Sequence, residues 1–356
     1  MDRYWSRLTR KLDPYVPGEQ PEDGSYIKLN TNENPYGPSP KVLEAVRQAV
    51  GENLKLYPDP TCDAFISAVA VRYGVKKEQV FAGNGSDEVL AFSFMAFFDP
   101  DRTIVFPEIT YSFYPVYALL SGLAYETVPL DSGFDIRPEL MRSSGGVVFA
   151  NPNAPTGRAL PLSAIRNILD GNPDAVVIVD EAYTDFGGES AVGLIDEYPN
   201  LLVVHTFSKS RALAGMRIGL AFGDSGLIRA LERVKNSFNS YTLDRLAMTA
   251  GIAALEDEEY YRGVTRKIIE TREWFTAELR KRDFSVPDSS TNFVFASHRH
   301  LRAEDLYLRL KENRILVRYF KKPLIDNHLR ISIGTDEEMR TFIEVLDRIL
   351  GGADIP

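Results

Sequence analysis

Between residues 80 and 222, short runs of consecutive apolar and mostly β-branched residues alternate with longer segments whose apolar positions recur at helical spacing. The runs are VFAG (80–83), TIVF (103–106), YETVPL (125–130), GVVFA (146–150), AVVIVD (175–180), LLVVHT (201–206) and RIGLAF (217–222). A run that is apolar on both faces suits a strand buried inside a parallel sheet. Segments 86–98, 161–170 and 226–238 read as helices between the runs, and the aromatic-rich AFSFMAFF (91–98) reads as core on the first of them. Strands alternating with helices predict an α/β domain with a mostly parallel, doubly wound sheet.

The flanks follow other patterns. Residues 1–45 are rich in Pro, Gly and Asn, with KLNTNENPYGPSP at 28–40, and read as an extended arm with turns. After residue 250 a long charged helix is expected near 256–282. Then come NFVFAS (292–297), a helix near 303–313, ILVRYF (315–320), HLRISIG (328–334) and a closing helix near 336–350. The expected division is an N-terminal arm over 1–45, a large domain over 46–250 and a smaller α+β domain over 251–356, with the arm packing on the smaller domain.

Composition narrows the function classes. The 356 residues carry a formal net charge of −9, with 41 Lys and Arg against 50 Asp and Glu. A nucleic-acid binder shows a basic excess or stripe, and neither is present. An anionic ligand would therefore be held by local arginines against the global field. No apolar run reaches the ~18 residues of a membrane helix. The start MDRYWSRLTRKLDPY lacks the apolar core of a signal peptide. The single cysteine, Cys62, excludes an internal disulfide and reads as structural. These features together predict a cytoplasmic protein. His298 and His300 stand close together, but two histidines without a third ligand rarely make a metal site, and a solvated loop is expected there.

In open α/β sheets, ligands bind just beyond the carboxyl ends of the strands. Four such ends carry chemistry. In AGNGSDEVL (82–90), Gly83 and Gly85 turn the chain into a helix whose first residues, Ser86 and Asp87, present free N–H groups to an anion; taken alone, this is also a simple helix cap. In NPNAPTG (151–157), Asn151 and Asn153 offer amides on a rigid loop. In VDEAYTDF (179–186), Asp180 closes a very apolar strand, where an unpaired carboxylate is costly, and Tyr183 offers a phenol nearby. In HTFSKSRALAGMRIG (205–219), Ser208 and Lys209 follow a strand and Arg217 precedes the next. A buried lysine amine is a nucleophile for carbonyl carbons, and arginine grips phosphate with a bidentate fork.

A phosphate loop, an asparagine loop, Asp-x-x-Tyr and Ser-Lys in this order, with the lysine 29 residues after the aspartate, resemble the fold-type I pyridoxal-phosphate (PLP) aminotransferases over nearly the whole chain. The resemblance implies Lys209 as the Schiff-base lysine, Asp180 on the pyridine nitrogen and Tyr183 on the ring phenolate oxygen. It implies Ser86, Asp87, Ser208 and Arg217 around the phosphate, and Tyr111, in ITYSFY, stacked on the ring. One position departs from the family. The asparagine expected immediately before Pro-Thr-Gly is Ala154, so Asn153 or Asn151 substitutes, or Tyr183 and water hold that oxygen.

LNTNENPYGP (29–38) and LYPDP (56–60) narrow the resemblance to the histidinol-phosphate aminotransferase subfamily. That subfamily implies a homodimer in which Tyr57 reaches the neighbouring subunit's cofactor phosphate. It implies Arg318 and Arg330 on the substrate phosphate, and Tyr15 closing over the substrate. The implied reaction exchanges an amino group between histidinol phosphate and 2-oxoglutarate, with Lys209 as general base. Rival readings are an aromatic amino-acid aminotransferase, a threonine-phosphate decarboxylase and a PLP-binding regulator; 356 residues leave no room for the DNA-binding domain such a regulator carries.

Overall fold

A computed structural model describes residues 2–21 and 26–352. Residues 1 and 22–25 of the expected arm, and 353–356 of the expected C-terminal domain, lie outside the described residues. Twelve strands are found among them: β1 (Ile27–Leu29), β2 (Val80–Asn84), β3 (Ile104–Pro107), β4 (Tyr125–Val128), β5 (Val147–Ala150), β6 (Val177–Asp180), β7 (Leu201–Thr206), β8 (Ile218–Gly223), β9 (Phe284–Ser285), β10 (Phe293–His298), β11 (Ile315–Tyr319) and β12 (Leu329–Ser332).

Seven strands form one sheet in the order β2-β8-β7-β6-β5-β3-β4. Pairing is parallel except along β8, which runs antiparallel to both β2 and β7. The apolar runs are continuous because both faces are covered. Val147, Phe149, Val177 and Val179 pack on one side with Phe65, Ile165 and Ile168. Val148, Ile178 and Leu202 pack on the other with Phe92 and Phe94. Each fully buried Phe or Leu of this kind stabilises the fold by roughly 1.5–3 kcal/mol. The helix Gly85–Phe97 starts as soon as β2 ends, with Gly85 at φ +77°, a left-handed conformation that glycine adopts without strain.

The second sheet has the order β1-β11-β12-β10-β9. Its first strand comes from the arm: Ile27, Lys28 and Leu29 pair in parallel with Ile315, Leu316 and Val317. Helices Glu258–Arg280 and Asp336–Leu350 supply Ile268, Phe275, Phe342 and Leu346 to its core. Two differences from the sequence expectation stand out. A helix, Pro40–Ala49, begins inside the expected extended arm, with Ser39 accepting from the Val42 N–H as its cap and proline at the first helical position. The long charged segment near 256–282 forms Glu258–Arg280, and an independent helix, Arg245–Glu256, ends directly before it.

His298 is not in a solvated loop. It is buried at the end of β10, and its Nδ1 accepts the backbone N–H groups of His300 (3.2 Å) and Leu301 (3.0 Å). Among the described residues there is no group of three or more His, Cys, Asp or Glu placed to hold a metal ion, and no helix long and apolar enough to cross a membrane.

Candidate active site

The exits from β2, β5, β6 and β7 border one cleft of about 740 Å³, and Ser86, Asp87, Asp180, Tyr183, Ser208, Lys209 and Arg217 all line it, with Tyr111. Antiparallel β8 explains how Arg217 reaches the same rim. It directly precedes β8, so it enters the sheet at the edge where the parallel strands end. Its own φ of +52° turns the chain into that strand.

One end of the cleft suits an anion. Ser86 and Asp87 occupy the first turn of the helix Gly85–Phe97, where backbone N–H groups have no intrahelical acceptor. Arg217 reaches Asp87 Oδ2 at 3.0 Å and Ser208 Oγ at 3.5 Å. A Cβ on Gly85 would sit 2.4 Å from the Arg217 guanidinium, so glycine is required for the arginine to close over the turn. Tyr111 donates to Asp87 Oδ1 at 2.8 Å. Burial, with the Asp87 carboxylate beside it, holds the Tyr111 phenol protonated far above its ordinary range.

Deeper in the cleft the requirement is a cation. Asp180 is buried, and among the described residues its carboxylate accepts only the Tyr114 hydroxyl (3.0 Å) and the Ala182 N–H (3.2 Å). Burial pushes its carboxyl up to about 6, although the Tyr114 and Ala182 hydrogen bonds pull the other way. A protonated ring nitrogen would supply the charge that the protein withholds. Lys209 Nζ lies 3.3 Å from the Thr31 carbonyl oxygen and 5.7 Å from the Tyr183 ring centre. The lysine turn is clamped from the arm, since Asn34 Nδ2 donates to the Lys209 carbonyl at 3.0 Å. An anion seat, a buried unpaired carboxylate, a phenol and a primary amine around one cleft fit pyridoxal phosphate by the chemistry of their donors.

Asn153 is not brought to the cleft. Its Nδ2 donates to the Ile109 carbonyl (2.9 Å) and Thr156 Oγ1 (3.1 Å), and its Oδ1 accepts from Thr110 (2.9 Å). Asn151 is committed in the same way to both backbone groups of Leu160. The loop consumes both amides in holding its own shape, and Ala154 alone of its first four residues shares the lining with Ala150.

A second pocket adjoins the first across Tyr111 and Ala154, and Tyr15 and Arg330 line it. Tyr15 stacks on Phe113 with ring centres 4.5 Å apart. Arg330 Nη2 donates to the Asn30 carbonyl at 2.8 Å, and the guanidinium lies over the rings of Phe293 and Phe320. Its buried Nε has no hydrogen-bond partner among the described residues. Burial depresses its basicity, and neighbouring Arg318 acts in the same direction. Arg318 faces Arg330 across the β11–β12 pair, but it donates to the Val16 carbonyl at 3.1 Å and does not line the pocket. Tyr57 is also outside both pockets: it is 78% exposed and stacks on Tyr241 at 4.6 Å.

The sequence reading missed Thr31, Glu33, Asn32 and Tyr114. The first two line the cleft, and the others contact Tyr183 and Asp180. NTNENP was visible as a polar motif, but its nearness to Lys209 is a long-range contact that local spacing does not carry.

Comparison with known proteins agrees with this geometry. The profile of the family described as Aminotransferase class I and II matches residues 25–346. Histidinol-phosphate aminotransferase from Clostridium botulinum (strain Okra / Type B1) is 54% identical over 351 residues, which are 98% of this chain and 99% of the relative. Histidinol-phosphate aminotransferase 2 from Dechloromonas aromatica is 55% identical over 356 residues, 99% of this chain and 100% of the relative. The crystal structure of histidinol-phosphate aminotransferase from Sinorhizobium meliloti in complex with pyridoxal-5'-phosphate superposes with a TM-score of 0.86 at 23% identity, covering 99% of each chain, and shows the shared fold. With sequence profile, near-full-length relatives and cleft in agreement, the chain belongs to the aminotransferase class I and II family, among the histidinol-phosphate aminotransferases.

Proposed function

We propose that this chain transfers an amino group between histidinol phosphate and 2-oxoglutarate with pyridoxal phosphate as cofactor, a step of histidine biosynthesis. The observation that carries this reading is the meeting of Lys209 and Asp180 in one cleft that adjoins the Arg330 pocket. When bound, the cofactor supplies an electron sink for the charge that develops at the substrate carbon. Lys209 Nζ would hold the cofactor and, once displaced by the substrate amine, would move the proton from that carbon to the cofactor carbon. Asp180 would keep the ring nitrogen protonated, and Tyr183 would hydrogen-bond the ring oxygen. The helix start at Ser86 and Asp87, with Ser208 and Arg217, would seat the cofactor phosphate, and Tyr111 would pack against the ring. Arg330 would take the phosphate of histidinol phosphate in one half-reaction and a glutamate carboxylate in the other, with Arg318 beside it and Tyr15 closing over the substrate.

The active unit would be a homodimer. Tyr57 and Tyr241 stand with Leu54, Leu56 and Phe238 among the exposed large apolar side chains, a composition that suits a partner surface. Tyr57 would then reach the partner's cofactor phosphate. The large domain would span 46–250 and the small one 251–356 with the arm on it, and the enzyme would act in the cytoplasm. Two measurements test the reading. The loaded protein should show a visible absorbance band that Lys209→Ala abolishes. Initial rates at several fixed glutamate concentrations should give parallel reciprocal plots, and intersecting plots would count against the two-step exchange.

A further inference from the structure

We propose that Asn32 is the positioning residue that aims the Tyr183 phenol into the cleft, where Ala154 offers no polar side chain. The inference rests on pyridoxal phosphate occupying the cleft. Its basis is the hydrogen bonding of one amide. Asn32 Nδ2 donates to Tyr183 Oη at 2.9 Å. The amide cannot turn freely, because the Asn32 backbone N–H donates to Ser332 Oγ at 2.9 Å and the Ser332 hydroxyl donates back to Asn32 Oδ1 at 2.9 Å. Asn292 Nδ2 grips the Asn32 carbonyl at 3.0 Å, and Asn32 itself sits at φ +57°, a conformation asparagine tolerates. Asn32 and both its anchors are buried.

A side-chain amide nitrogen has two hydrogens and no lone pair to offer. With Nδ2 turned toward it, the phenol oxygen accepts from Asn32 and cannot donate to it. Its own hydrogen is therefore directed elsewhere, and the face of Tyr183 that remains open lines the cleft. The accepted bond also polarises the O–H and makes it a stronger donor. Neither asparagine of the 151–157 loop competes for this task, since both are spent on the loop's own backbone. Ser332 ends β12 and Asn292 precedes β10, so the aim of a phenol beside Lys209 is set from the second sheet.

The test is a pH titration of the visible band of the holoenzyme in wild type, Asn32→Asp, Asn32→Gly, Tyr183→Phe and the Asn32→Gly/Tyr183→Phe pair. Both Asn32 replacements tolerate positive φ. Asp keeps the acceptor toward Ser332 but removes the donor; Gly removes both. Losing a donor to a phenolate-type oxygen destabilises the anion, so the chromophore keeps its proton to higher pH, and the midpoint should rise by about one pH unit in each Asn32 variant. Because Asn32 acts through Tyr183, it should add no further shift when Tyr183 is already Phe. Should Asn32→Gly not fold, Ser332→Ala, which frees the amide to turn, is titrated in its place and should raise the midpoint by a smaller amount. An unmoved midpoint, or an equal shift with and without the Tyr183 hydroxyl, overturns the proposal and leaves the cofactor reading standing. Absence of any band sensitive to Lys209→Ala overturns both.

Discussion

Among the described residues, the two adjoining pockets each leave one charge without a counterion, and the charges are opposite. At the rim of the large sheet Arg217 is already paired with Asp87, and the group left wanting is the Asp180 carboxylate. In the pocket over the second sheet, Arg330 forms no ion pair with a carboxylate among the described residues; a backbone carbonyl and two aromatic faces hold it, and its Nε has no hydrogen-bond partner among those residues. A buried charge that the protein does not neutralise costs stability, and a ligand of opposite charge relieves that cost. The rim therefore calls for a cationic ring and the neighbouring pocket for an anionic tail. Permanent anchoring differs as well. Arg217 is fixed by Asp87 and Ser208 at the rim of the large sheet, as suits a group that stays, whereas Arg330 is left able to accept anions that come and go.

The most severe way to break this arrangement is to remove the amine that lines the first pocket. Lys209→Ala should lower kcat by roughly ten-thousand-fold while leaving the fold intact, read by steady-state rates together with thermal unfolding. Arg330→Gln attacks the second pocket alone. Losing a desolvated charge partner should cost about 3–4 kcal/mol of transition-state binding, several hundred-fold in kcat/KM for histidinol phosphate, with the cofactor band unchanged. If the band changes as well, the two pockets are not separable as described.

Asp180 gives a pH signature to the first pocket. Its folded-state pKa, about 6, lies above the ordinary carboxylate value of 3.8, so between those values the folded protein binds more protons than the unfolded chain. The cofactor-free protein should therefore lose stability as pH rises from about 4 to about 6, by up to about 3 kcal/mol from this group. Asp180→Asn should remove that loss, and denaturant titrations of both forms at pH 4, 5, 6 and 7 would show it. Bound cofactor should flatten the same dependence. Smallest in effect, Tyr111→Phe deletes only the 2.8 Å bond to Asp87. It should weaken cofactor retention by about 1 kcal/mol, measured as a shift in the cofactor concentration that restores half-maximal absorbance.

The strands of the large sheet were legible because both of their faces are buried. Runs such as AVVIVD and LLVVHT carry no polar alternation to confuse them. The cleft was legible for a related reason: strand ends of a parallel sheet meet at one edge, so Ser86, Asp180 and Lys209 could be gathered from chain order. Asn153 misled because an amide in a Pro-rich loop looks the same in sequence whether it faces a ligand or its own backbone. The helix Pro40–Ala49 was hidden by the Pro- and Asn-rich stretch before it, although Ser39 and Pro40 form a good helix start. Tyr114 could not be tied to Asp180 at all, because its hydroxyl crosses 66 residues of chain to reach that carboxylate.

Sequence by itself determined the alternating strand and helix pattern and the residue types that arrive at the rim of the large sheet, since burial and chain order dictate both. It also determined the lysine and the carboxylate of the site. Tertiary structure alone decided which charges remain uncompensated, that the arm supplies Thr31, Asn32 and Asn34 to the lysine and Tyr183, and that Arg330 rather than Arg318 lines the second pocket. The physical reason is that hydrogen bonding and desolvation depend on a few ångströms between groups hundreds of residues apart, as with Asn32 and Ser332, and no local pattern encodes that separation.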